Sequence, residues 1–116
     1  MIIPAEEIKR EQMFPGASRL HYIDRATGAG AISMGILTLE PHSSLPLHRH
    51  RVEDAMIVLE GEGIVVCDGE EFPVHKGMGI IAPGNSAHTI RNDSEVPFTI
   101  VYAWPSLDVE RFIVKD

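Results

Sequence analysis

Hydrophobic residues recur along this chain in short runs with a period of two, and glycine, proline or asparagine separates nearly every run from the next. Residues 18–24 alternate Leu20 and Tyr22 against His21 and Ile23, the stretch RATGAGA supplies turn residues, and a longer strand is predicted over 32–39. Pro41 and Pro46 bracket Ser43 and Ser44 in a bend between sheet segments. An apolar strand over 55–60 is closed by Gly61-Glu62-Gly63, and another over 64–67 by Asp68-Gly69, a strong two-residue hairpin signal. The chain returns over 72–74, turns at HKGMG, and continues in short strands over 80–82 and 88–92. Residues 97–104 form the longest apolar run near the carboxyl end. Before residue 18 the pattern is too short to separate one or two helical turns from an extended arm, and the tail after Pro105 is open between a helical turn and a closing strand.

With no helical periodicity longer than a turn or two, the pattern predicts an all-β domain, two hairpin-linked sheets forming a sandwich or barrel around a mouth. A length of 116 residues and 44% hydrophobic content suit one core and one domain. No apolar run approaches the ~20 residues of a membrane span, and the first residues lack a secretory pattern, so no membrane partner and a cytoplasmic location are expected. A net charge of −7 with ten Lys+Arg opposes nucleic acid as a partner, since phosphate neutralisation needs a basic face. The single cysteine, Cys67, excludes an internal disulfide and a thiolate zinc site, and reads as a small buried hydrophobe. Any metal therefore falls to the six histidines and the carboxylates.

The stretch LHRHRVEDAMIVLEGEG concentrates the candidate chemistry. On one extended strand His48 and His50 project from the same face, Asp54 keeps their parity, and Glu53 points the other way, which favours Asp54 over Glu53 as the carboxylate. His88, beyond the turn PGNSA, is the candidate for a fourth ligand, and such a set with open coordination positions suits zinc or non-haem iron. Met56, Val58, Ile90 and Met34 are candidates for the cavity wall. Arg49 and Arg91 are expected on the outer face, Asn92 as a turn former, and His21, His42 and His75 as surface or loop residues. Glu60, Tyr22 and Tyr102 are the remaining acid–base candidates.

These spacings resemble the two motifs of the cupin family. The first motif runs Gly, five residues, His-x-His, three or four residues, an acidic residue, six residues, Gly, and here reads His42, His48, His50, Asp54 and Gly61. The second runs Gly, five residues, Pro-x-Gly, two residues, His, three residues, Asn, and here reads Gly77, Pro83, Asn85, His88 and Asn92. The chain departs from the pattern at His42 and Asn85, which replace glycines, and at Asp54, one methylene shorter than the usual glutamate. The resemblance implies an RmlC-like double-stranded β-helix, or jelly-roll barrel, over 18–116, with 1–17 as an amino-terminal arm. It also implies one divalent ion (Mn, Fe, Ni, Zn or Cu) held by His48, His50, Asp54 and His88. Family members include dioxygenases, decarboxylases, isomerases and non-catalytic binding proteins, so whether this chain is an enzyme stays open. The reading is a metal site acting on a small organic acid or diketone, in the manner of a dioxygenase or oxalate decarboxylase. The alternatives are a small-molecule or sugar binding module, and a metal-free isomerase with His88 or His50 as base. A homodimer is expected, with the arm able to exchange as a strand onto a partner's sheet edge.

Overall fold

The computed structural model describes residues 1–114, whose regular structure is antiparallel strand apart from two short 3-10 turns. In chain order these are β1 (Glu11–Phe14), β2 (Ala17–Ile23), β3 (Ser33–Leu39), β4 (Ser43–Ser44), β5 (His48–Arg49), β6 (Asp54–Glu60), β7 (Glu62–Cys67), β8 (Glu70–His75), β9 (Gly79–Ala82), β10 (His88–Asn92), β11 (Phe98–Trp104) and β12 (Phe112–Ile113). One sheet has the order β1-β2-β3-β11-β6-β9, the other β12-β5-β10-β7-β8 with β4 also pairing β10. The large separations between paired strands are those of a jelly roll, the double-stranded barrel expected of the chain.

Period-two alternation sets which side chains meet between the sheets. Along β3, β10 and β11 every second residue is buried, and β6 follows the same rhythm until it nears Gly61. Leu37, Leu39, Phe98 and Ile100 from one sheet thereby join Val65, Val74 and Ile90 from the other in a single core. Met56 and Val58 are buried as expected. Met34 is not: its strand neighbours Ser33 and Gly35 take the inward parity, so Met34 lies on the outer face beside Ile57 and Val101.

The turns follow their chemistry. Asp68 and Gly69 both take positive φ, 48° and 86°, the twisted two-residue turn that joins β7 to β8. Gly61 has φ 83°, and a Cβ there would stand 2.5 Å from the Pro97 carbonyl oxygen, so only glycine lets β6 turn into β7 against β11. In the amino-terminal segment a 3-10 turn at Ala5–Glu7 precedes β1, which pairs with β2 of the same chain. Beyond β11 the tail crosses to the other sheet, where β12 pairs with β5, so of the two conformations left open for it the strand is the one formed.

Candidate metal centre

The site is assembled where the two motifs meet. His48 on β5 stands directly opposite His88 on β10 in the sheet register, which sets two imidazoles side by side on the inner face. Arg49 points outward and its Nη1 donates to the Asn85 carbonyl at 3.2 Å. The His50 carbonyl accepts from the Asn85 amide at 2.6 Å, and Asn85 reaches that position in the left-handed conformation, φ 66°, that its replacement of glycine required. At Gly84 a Cβ would lie 2.6 Å from the Arg51 carbonyl oxygen, so the turn before His88 rests on the bend after His50.

That bend, residues 51–53, moves the chain from one sheet to the other, and Asp54 opens β6 opposite the histidine strand. A single continuous strand from His48 to Asp54, assumed in the parity argument, does not form. Asp54 nonetheless turns inward and is buried, with Oδ2 at 3.6 Å from His88 Nε2 and 3.9 Å from His50 Nε2, while Glu53 is exposed. The carboxylate arrives from across the barrel rather than along the strand.

His48, His50 and His88 are each 2% exposed or less, and their ligand atoms lie within 4.8 Å of one another. Each Nδ1 is engaged with a backbone carbonyl: His48 with Pro46 at 2.7 Å, His50 with Glu110 at 3.0 Å and His88 with Ser86 at 3.0 Å. A carbonyl oxygen can only accept, so each Nδ1 must donate, and the lone pair of each neutral ring is left on Nε2. His50 Nε2, His88 Nε2 and Asp54 Oδ1 are buried with no hydrogen-bond partner. Acceptors facing acceptors cannot satisfy one another, and leaving them unpaired is costly. The three imidazole nitrogens, oriented by carbonyls behind the rings, could hold a divalent cation, and the Asp54 carboxylate stands beside them.

Burial lowers the His48 pKa from 6.5 to about 4 and lowers that of His50 as well, so both rings are neutral and able to ligate in ordinary buffers. The same shift makes the metal-free protein acid-sensitive. Between pH 6.5 and 4 the unfolded chain binds a proton at His48 that the folded chain refuses, so stability falls as pH falls through that window. The shift corresponds to about 3 kcal/mol. Urea denaturation of metal-free protein at pH 7 and pH 4.5 should show the loss, and equal midpoints would contradict it.

A cavity of about 20 Å³, the room of a water or an ion, adjoins the cluster. Its apolar wall includes Leu37, Leu45, Met56, Ile90 and Ile100, and its polar lining adds Arg19, Tyr102, Trp104 and Arg111. Burial pushes the Tyr102 phenol up to about 12, so it stays protonated, and its oxygen lies 2.7 Å from His21 Nδ1. His21, expected at the surface, instead stacks on Tyr102 and borders Trp104, with its pKa lowered by burial and then by Arg19. Its place follows the unbroken register of β2 on β3, where Ala17, Arg19 and His21 stand opposite the buried Leu39, Leu37 and Gly35.

Arg19, Trp104 and Arg111 were not singled out by the sequence pattern. Trp104 shares strand parity with Tyr102 and could have been found from it. Arg111 carries no local signal; the tail brings it in, anchored by Glu110 on His50 and by Phe112 and Ile113 opposite Arg49 and His48.

The other candidates lie outside the cluster. His42 takes φ 59°, so it fills the left-handed position of the missing glycine, and its exposed ring pairs with Glu95 at 2.7 Å. His75 is exposed, Glu60 pairs with Lys76, and Arg91 pairs with Glu71 and Asp93 on the outside. Cys67 is half-buried at the hairpin. Tyr22 does not line the cavity. Asn92 organises the loop after β10, bonding the Val96 carbonyl and the Ser94 amide.

The Cupin domain family model matches residues 35–104, more than half of the chain and inclusive of all four candidate ligands. Among curated proteins, a gentisate 1,2-dioxygenase from Ralstonia sp is 29% identical over 100 residues, covering 83% of this chain and 27% of that protein. The chain spans half or less of the length of the curated relatives it first matches. Among solved structures, the polyketide cyclase RemF from Streptomyces resistomycificus superposes with a TM-score of 0.89 at 20% identity, covering all of this chain and 86% of RemF. A predicted oxalate decarboxylase from Thermotoga maritima superposes with a TM-score of 0.81 at 22% identity, covering 92% of this chain and all of that one. At these identities the structural likeness speaks for the fold.

Proposed function

This chain belongs to the cupin family, and from that premise we propose that His48, His50 and His88, with Asp54 completing the set, hold one divalent metal ion beside which a small organic acid binds. One observation carries the reading: buried acceptors converge with nothing among the described residues to satisfy them, while each of these three histidines is oriented from behind by a carbonyl. The ion would supply Lewis acidity toward an oxygen-rich ligand or, if iron or manganese, reactivity toward dioxygen.

The chain's own residues provide the rest. Leu37, Leu45, Ile90 and Ile100 keep the pocket dry, which strengthens every polar interaction in it. Tyr102, held protonated by burial and positioned by His21, places its phenol oxygen at the wall. The acid class is supported by two relatives, whose names give gentisate and oxalate as the compounds they act on.

Titrating chelator-stripped protein with Mn, Fe, Ni, Zn and Cu tests the centre. One equivalent of at least one metal per chain is expected, with a melting temperature raised by roughly 10 °C at a hundredfold excess over Kd. No uptake of any of the five sinks the reading. Turnover assays over small carboxylic acids with the loaded protein then separate an enzyme from a binding module.

A further inference from the structure

Two buried polar atoms remain unexplained once the cation site is accounted for. Of the five buried side-chain atoms without a partner among the described residues, His50 Nε2, His88 Nε2 and Asp54 Oδ1 are acceptors that a metal ion would satisfy. The other two, Trp104 Nε1 and Arg111 Nε, are N–H donors. A cation cannot satisfy a donor, and each of these needs an acceptor that the described residues do not provide. Both residues line the cavity of the histidines and also an adjoining pocket of about 200 Å³ that reaches His50, with room for a small organic acid.

Arg111 also has no ion-pair partner among the described residues, whereas its neighbour Arg19 is held by Glu11 through Nη2 at 2.9 Å and Nε at 3.0 Å. Burial, then the Arg19 charge, push the Arg111 pKa below its ordinary value. A half-buried guanidinium whose Nε is buried, and which rests over the Phe14 ring at 5.5 Å with no carboxylate beside it, is a costly arrangement for folding alone. It is not an accident of a loose tail, because Glu110 is bound to His50 and Phe112 is paired with Arg49 on either side of it.

We infer that Arg111 and Trp104 form an anchoring subsite for a carboxylate, each Nε–H donating to an oxygen of a small organic acid held beside the histidine cluster. The inference rests on the proposed function for the place of the ligand's other end. The planar guanidinium edge matches the two oxygens of a carboxylate. With Arg19 committed to Glu11, one guanidinium remains for one carboxylate group, whose two coplanar oxygens match its edge better than the tetrahedral oxygens of phosphate.

Metal-stripped protein titrated with malonate, and separately with inorganic phosphate, provides the test by melting temperature and calorimetry. Malonate should bind the stripped wild type, Arg111→Met should weaken it by about tenfold or more, and Trp104→Phe should weaken it severalfold. Arg111→Lys should recover part of the loss. Equal malonate affinity in wild type and Arg111→Met, no binding at all, or a preference for phosphate would each overturn the subsite. Metal uptake by the same variants is read independently, so loss of the metal centre with malonate binding intact is distinguishable from the reverse. If Arg111→Met does not fold, the Arg111 Nε–H resonance of the wild type answers: it shifts on adding malonate, and an unmoved signal overturns the inference.

Discussion

Replacing His88 with alanine should weaken metal binding by more than about 100-fold and abolish the metal-dependent rise in melting temperature. His88 stands opposite His48 in the sheet, and its Nε2 faces the Asp54 carboxylate at 3.6 Å. Its removal takes away one nitrogen donor and opens the centre to water. The metal-free variant should still fold, because the β10 ladder to β7 uses backbone groups that the substitution leaves in place, and the lost ring also removes an unpartnered acceptor. Asp54→Asn sharpens the result. It preserves shape and removes charge, so an affinity about tenfold lower would assign the carboxylate to the metal, and an unchanged affinity would restrict the ligands to the three imidazoles. Wild-type affinity in His88→Ala, measured by competition with a chelator, would sink the proposed centre altogether.

Asn92→Ala should cost about 3 kcal/mol of stability without touching the metal site. Asn92 is fully buried. Its Nδ2 donates to the carbonyls of Leu39 at 3.1 Å, Glu40 at 3.2 Å and Val96 at 2.8 Å. Its Oδ1 accepts from the Ser94 amide at 2.9 Å and the Ser94 hydroxyl at 2.7 Å. One side chain thus ties the end of β3 to the loop entering β11. Truncation strands buried carbonyls that have lost their donor, and the cost of an unsatisfied group exceeds the net worth of the bond. Chemical denaturation of the metal-free variant measures this, and a loss below about 1 kcal/mol would show that water replaces the amide. The sequence placed Asn92 as a turn former rather than an active-site group; it serves the turn, from a buried position that composition could not reveal.

What was legible in the chain was whatever local stereochemistry dictates. The strand rhythm, the Asp68-Gly69 hairpin and the left-handed position at Asn85 follow from side-chain alternation and from which residues tolerate positive φ. The resemblance across Pro41 to Asn92 pointed to the family and to a jelly roll, and the structure has both sheets. Alternation likewise brought His48 and His50 to one face, since only Arg49 lies between them.

The remainder depended on contacts distant in sequence. Asp54 meets the histidines because residues 51–53 cross between sheets, not because it shares their strand. His21 lies inward because β2 pairs with β3 so that it stands opposite the buried Gly35, Met34 is turned outward by the phase of β3, and Arg111 reaches the cavity only because β12 closes onto β5. The sequence by itself determined the strands, their turns and the pair His48 and His50, because these are settled within a few residues of backbone. Which acceptors and donors face one another inside the barrel was decided by the tertiary structure, because inter-sheet register and a tail some sixty residues beyond the first histidines bring them together.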